Sequence, residues 1–173
     1  MKDIMLDIET LGNTMNSIVI QVAMIRFDRE TGNVGESLAI RLDGKQQEDL
    51  GLIHTQDTIE WWKRTNLELF KQLLTENVMS VEDGLNQISM FIKPTDLIWC
   101  HANFDIPLLC SVYQVANKKT PWGYKNVRDI RTLTDLADLD LRQYNWNTEK
   151  THDALDDCRF QIKYCVDAIK RLK

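Results

Sequence analysis

Two carboxylates separated by one residue, Asp7 and Glu9 in Asp7-Ile8-Glu9, close an apolar stretch and are the first side chains in the chain that could do chemistry. On a strand, residues two apart point to the same face, so this pair brings like charges together beside apolar neighbours. Such a pair either raises one pKa or recruits a cation, and magnesium, which prefers carboxylate oxygens and retained waters, is the economical partner. Near the other end stands His152-Asp153-Ala154-Leu155-Asp156-Asp157. On one continuous helix His152 and Asp157 would lie about 140° apart, too far for one site. With Asp153 as the N-cap and Asp156 at the third helical position, His152 instead falls outside the helix and can turn toward Asp157. Between these two motifs, Asn103-Phe104-Asp105 follows an apolar run and opens a helix, and strand ends of this kind are where α/β sheets collect ligands. Taken singly, each has a plainer account: Asp7 and Glu9 solvated past a strand end, and Asp105, Asp153 and Asp156 as helix caps. All of these plainer accounts must hold at once for the site to vanish.

In order and separation the three motifs resemble those of the DEDDh 3′-to-5′ exonucleases, in the ribonuclease-H-like, DnaQ-like superfamily. Asp7-Ile8-Glu9-Thr10 is similar to their first motif, Asn103-Phe104-Asp105 to the second, and His152 with Asp157 five positions on to the third. The segments Thr58-Ile59-Glu60-Trp61-Trp62 and Arg128-Asp129-Ile130-Arg131-Thr132 are similar to those of a small exoribonuclease-like branch met in phages, prophages and actinobacteria. The resemblance implies a two-metal phosphodiesterase, with Asp7 shared by two magnesium ions, Glu9 and Asp157 helping to hold one and Asp105 serving the other; manganese is expected to substitute. It also implies His152 as general base, its ordinary pKa near 6.5 suiting it to accept a proton. The terminal nucleotide would meet Glu9 and the backbone near Thr10, with Leu11 wedged against the base and Phe104 stacking from the other side. Expected partners are the 3′ ends of single-stranded RNA or DNA, with RNA slightly favoured, and a homodimer is an admissible assembly. A catalytically silent binding or scaffold subunit and a dinucleotide phosphodiesterase are the competing readings.

The elements that must position these residues begin with strands at Ile4–Ile8, Ser17–Phe27 and Leu38–Leu42, an antiparallel meander with a turn-rich Asp28–Gly35 before the third. Capping-box spacing at Asp57 and Glu60 predicts a helix, followed by an apolar-periodic piece at Leu67–Leu74. Ser80 and Asp83 open another, stopped by Pro94. A short strand at Asp96–Cys100, a helix at Asp105–Val115, a brief strand at Lys125–Val127, a short helix at Asp129–Ala137 and a last helix at Asp153–Leu172 complete the reading. The fold class expected is therefore α/β: one domain over residues 1–173, a ribonuclease-H-like mixed sheet of meander plus parallel strands, helices on both faces. Trp61 and Trp62, about 100° apart on a helix, cannot both face the core. Asp129 reads as a cap or a supporting residue; His54 and His101 read as surface or structural residues.

Bulk properties narrow the classes that remain. At 173 residues, with 43% hydrophobic and 27% charged, the chain can bury a full core, which excludes collagen-like and disordered readings. Four cysteines without a CxxC pair read as buried thiols. No stretch is long and apolar enough to span a bilayer, and the N-terminus lacks a secretory pattern, so a cytoplasmic protein is expected. The net charge of −5 argues against a broad basic nucleic-acid surface. Four carboxylates held around two divalent ions would leave acids and bases nearly balanced, so an acidic chain can still meet a phosphate backbone.

Overall fold

The computed structural model describes residues 1–144 and 151–173. Strands β1 (Asp3–Thr10), β2 (Val19–Phe27) and β3 (Val34–Leu42) form the antiparallel meander. Helices α1 (Gly44–Asp49), α2 (Gln56–Thr65) and α3 (Leu67–Thr75) follow, then β4 (Val78–Met79), α4 (Val81–Phe91), β5 (Leu97–Cys100) and α5 (Asp105–Val115). After these come β6 (Val127–Asp129), α6 (Ile130–Leu136), a 3-10 turn at Leu141–Gln143 and the long α7 (Ala154–Arg171). The six strands order as β4-β3-β2-β1-β5-β6, with β4 parallel to β3, β5 parallel to β1, and β6 parallel to β5.

The alternation of β1 decides what each face sees. Ile4, Leu6 and Ile8 point into a core shared with Trp62, Phe70, Leu85, Ile88 and Leu109 from α2 to α5. Met5 points the other way, into a second core with Trp99, Ile130, Cys158, Phe160 and Val166, from β5, α6 and α7. Helices thus cover both faces, and the odd-numbered face, which Asp7 and Glu9 share with Met5, is the one under α7. Cys158 lets α7 approach closely, its thiol donating to the carbonyls of Met5 at 3.7 Å and Ala23 at 3.5 Å. Cys100, Cys158 and Cys165 are buried free thiols and Cys110 is half-buried. Among the described residues no helix is long and apolar enough to cross a membrane.

Some boundaries differ from the sequence reading. β3 begins four residues earlier than expected, at Val34, and Ser17 makes only an isolated bridge to Ile53. The capping box at Asp57 does not form, because the N-cap lies two residues earlier, at Thr55, whose hydroxyl donates to that of Thr58 at 2.8 Å. The last parallel strand lies two residues later, at Val127–Asp129.

Candidate active site

The carboxyl ends of β1 and β5 lie side by side, and the start of α7 lies over the same end of the sheet. Asp7, Glu9, Asp105 and Asp157 are each exposed by 9% or less. They line one cavity of about 450 Å³ together with Thr10, Gly12, Trp61, His101, Phe104, Arg131 and His152. Within it the donor atoms form two triads, Asp7 with His101 and Asp105, and Glu9 with His152 and Asp157; inside each triad the candidate ligand atoms all lie within 4.8 Å of one another.

Local structure explains each placement. Asp7 is fixed by Gln161, whose amide donates to its Oδ1 at 2.6 Å, one turn beyond Asp157 on α7. Asp105 opens α5, and its Oδ2 accepts the backbone N–H of His101 at 2.7 Å, closing the turn between β5 and α5. Asp129 caps α6 through the Thr132 N–H at 3.0 Å and also accepts the Ala102 N–H at 3.1 Å, so the same turn is held from β6. Asp129 is therefore a cap and a support for the His101–Asp105 turn. Burial pushes the Asp105 carboxyl well above the ordinary carboxylate range, and the charge of Asp7 pushes the same way.

The third motif is built as the spacing requires. Asp153 is the N-cap of α7, its Oδ1 accepting the Leu155 N–H at 3.0 Å, and Asp156 occupies the third helical position. Gln21, beside Glu9 in the β1–β2 register, holds this helix start from below: its Nε2 donates to Asp153 Oδ2 at 2.9 Å and its Oε1 accepts the Ala154 N–H at 2.9 Å. His152 stands outside the helix with φ of 60°, and Asp157 Oδ1 accepts the Thr151 N–H at 3.2 Å.

The flanking residues divide. Phe104 lines the cavity, as does Thr10, whose hydroxyl donates to Gly12 O at 2.6 Å. Leu11, expected against a base, is instead buried in the core on the other side of the turn; Gly12 and Asn13 take its place on the cavity wall. Trp62 is buried and its Nε1 donates to Thr10 O at 2.9 Å, whereas Trp61 is 37% exposed and lines the cavity. Among nearby basic residues, Lys118 meets Glu82 and Asn86 on the surface, and Arg128 donates to the Lys125 and Val127 carbonyls. Arg131 alone among the described arginines and lysines lines the cavity. Sequence reasoning missed His101 as a cavity residue, although its position four before Asp105, at the end of an apolar strand, carries the signal. Gln21 and Gln161 gave none, because a buried glutamine has no periodic signature.

The donor set fits divalent cations. Carboxylate oxygens from four buried acids are ligands for hard ions, and the Asp105 carboxyl, raised first by burial and then by the charge of Asp7, is one whose ionised form a cation would favour. The chain is thus equipped to hold metal at the carboxyl end of its sheet.

Known proteins are similar to this chain to different extents. The chain is 28% identical to the exodeoxyribonuclease of Enterobacteria phage T4 over 197 residues, 94% of this chain and 86% of the phage protein. Its fold is similar to that of E. coli Exonuclease I in complex with a dA16 oligonucleotide, with a TM-score of 0.71, 18% identity and coverage of 98% of this chain and 41% of that one. It is similar also to a moderately thermophilic Exonuclease I from Methylocaldum szegediense, with a TM-score of 0.67, 20% identity and coverage of 98% and 39%. This chain thus spans about two fifths of the length of either Exonuclease I chain. Residues 2–169 match the family described as the 3′-5′ exoribonuclease Rv2179c-like domain, and the chain belongs to that family, within the DnaQ-like 3′-to-5′ exonucleases.

Proposed function

We propose that the chain acts as one exonuclease domain that removes nucleoside 5′-monophosphates from the 3′ ends of single-stranded nucleic acid. Two divalent ions would be held by Asp7, Glu9, Asp105 and Asp157, magnesium in the first place and manganese as a substitute. The observation that carries this reading is the convergence of all three motifs on one cavity as two adjacent triads. Ions bound there would lower the pKa of the attacking water and stabilise charge on the phosphorus and the leaving 3′-oxygen.

The chain's own residues supply the rest. His152 takes the proton of the attacking water, a role that suits an imidazole set outside the helix and facing Glu9 and Asp157. Arg131 meets the non-bridging phosphate oxygens from the cavity wall, as a guanidinium fork does. Phe104 offers a ring face to the terminal base, which tolerates any base. Thr10 shapes the turn that receives the terminal sugar.

RNA is the favoured substrate, because the matched family is described as exoribonuclease. DNA is the second reading, supported by the name of the phage relative and by the dA16 bound to E. coli Exonuclease I. The test is incubation of 5′-labelled RNA and DNA of equal sequence with magnesium, manganese or chelator. The expected result is a shortening ladder, 5′-monophosphate products, resistance of a 3′-phosphorylated strand, and no reaction in chelator. Rapid cutting of a circular single strand would overturn the exonuclease reading, and faster loss of DNA than of RNA would overturn the RNA preference.

A further inference from the structure

His152 occupies a half-buried position on the cavity wall that neither a helix nor a strand holds. Its φ of 60° lies in the left-handed region, which a non-glycine residue adopts only when its surroundings fix it, and it precedes the N-cap of α7. Its side chain meets an aromatic row that comes from a different part of the fold. Phe70 of α3 stacks on Trp62 at 5.5 Å with planes 9° apart; Trp62 meets Trp61 edge-to-face at 5.2 Å; and Trp61 meets the His152 ring at 4.8 Å with planes 88° apart. Trp62 also reaches the same imidazole, at 6.3 Å and 76°. The row is anchored at its inner end, where Trp62 is buried and donates to the carbonyl of Thr10, directly after Glu9. α2 thereby sets the place of His152 relative to the strand that carries Asp7 and Glu9.

From this geometry we infer that Trp61 is a positioning residue for the reaction: its indole fixes the orientation of the His152 imidazole toward the attacking water, and the Trp62 and Phe70 rings brace it from behind. The inference rests on the reading of His152 as general base. An edge-to-face contact has a directional preference, so it selects one ring orientation where a mere apolar neighbour would admit several. A general base must also be within hydrogen-bond reach of its proton, and small misplacements are expensive in rate. The half-exposed indole is thus a wall of the cavity whose main effect is on the imidazole beside it.

The test compares Trp61→Leu, Trp61→Phe, His152→Ala and the double variant Trp61→Leu/His152→Ala. Each is assayed on a 5′-labelled single-stranded 8-mer under saturating magnesium, and each fold is checked by thermal melting. Trp61→Leu is expected to lower kcat by about 10-fold to 100-fold with KM changed by less than about threefold, and Trp61→Phe, which keeps a ring edge, to recover most of the loss. In the His152→Ala background the same Trp61→Leu change should have no further effect on kcat, because the group it positions is gone. An independent readout is the imidazole NMR spectrum: the chain has three histidines, and the His152 signals should move and broaden in Trp61→Leu while those of His54 stay in place. A rise in KM with kcat preserved would make Trp61 a substrate contact and overturn the inference. Equal loss in the presence and absence of His152 would overturn it too, while leaving His152 as the base. If His152→Ala cleaves as fast as the parent, the base reading itself fails and takes the inference with it. Should Trp61→Leu melt below the assay temperature, Trp61→Phe alone decides: unchanged kcat with unmoved His152 signals supports retention by a ring edge, and a kcat loss as large as that of His152→Ala with unmoved signals overturns it.

Discussion

Strand β1 carries buried acids at both of its ends, and they are handled in opposite ways. At the start, Asp3 accepts from Arg29 Nε at 3.0 Å and from Trp99 Nε1 at 2.8 Å, and Asp96, just before the neighbouring β5, meets Arg26 Nη2 at 2.9 Å with both side chains buried. At the far end, Asp7 accepts from the Gln161 amide, Asp105 from the backbone of His101, and Asp157 from the backbone of Thr151. Those donors are neutral, and the acids stand close enough that the charge of Asp7 helps to raise the pKa of Asp105. Protein guanidinium groups neutralise the first end, where the acids serve the fold. The second end gathers four carboxylates around one cavity with Arg131 on its wall, an excess of acids that suits external cations and opposes stability when they are absent.

The sharpest way to break this comparison is to exchange the readouts. Asp7→Ala is expected to slow cleavage by at least about 10³-fold while the melting temperature in chelator stays level or rises, since a repulsive charge is removed. Asp96→Ala should do the opposite. It removes the buried partner of the Arg26 guanidinium and leaves it the Phe91 carbonyl and the exposed Glu36, a loss of about 3 kcal/mol, while cleavage per folded molecule is kept. Melting curves and single-turnover rates for both variants check the pair. If Asp7→Ala unfolds the chain as readily as Asp96→Ala, the two ends are structurally alike and the distinction fails.

A smaller effect is expected from Gln161, which orients Asp7 without belonging to either triad. Its Oε1 is buried without a hydrogen-bond partner among the described residues, so Gln161→Leu removes an unsatisfied atom along with the bond to Asp7. Stability should change little, whereas manganese affinity by calorimetry and the cleavage rate should each fall by about tenfold, the usual effect of losing a group that orients a ligand. Unchanged affinity would mean that β1 alone fixes the Asp7 carboxylate.

How much of this was legible in the sequence follows from what kind of signal each residue gives. The meander, the parallel strands and the helices on both faces are written in apolar periodicity, and the Asp153 cap that frees the third motif from helical spacing is written in residue type. Ser80 caps α4 as expected, accepting the Asp83 N–H at 3.1 Å. Helix α1 was missed because its one buried residue is polar: Gln47 uses its side-chain amide as a stretch of strand, accepting from Val19 N at 2.9 Å and donating to Val19 O at 2.7 Å. Gln21 and Gln161 escaped for the same reason, since what a glutamine does depends on which distant partner the fold delivers. Leu11 was misplaced because it stands where the backbone irregularity at Glu9 and Thr10 changes which way the next side chains turn. His101 is a near miss, in that the turn holding it is legible while its imidazole reads as a surface or structural group.

The smallest expected effect concerns Asp105 and the acidity of the far end. Its carboxyl has a raised pKa in the folded chain, first through burial and then through the charge of Asp7, with the His101 N–H and Arg131 opposing the shift. The folded state therefore holds this proton more tightly than the unfolded chain does, where an aspartate titrates near 3.9. Stability contributed by that proton is fully present below about 3.9, and is lost as pH rises from there through the raised folded value. In chelator the parent should thus lose melting temperature across this interval. Asp105→Asn, which keeps an oxygen for the His101 N–H and cannot ionise, should flatten that part of the curve. At pH 8 the variant should melt higher, by roughly 2–4 °C for each kcal/mol of relieved repulsion. Saturating manganese should reverse the order, because the parent then gains the stabilisation of a bound ion that the amide holds less well. A parent whose melting temperature climbs with pH above 4 in chelator, with Asp105→Asn climbing in parallel, would mean that the buried carboxyl is ionised without penalty, and that the far end of β1 is as well neutralised as the near one.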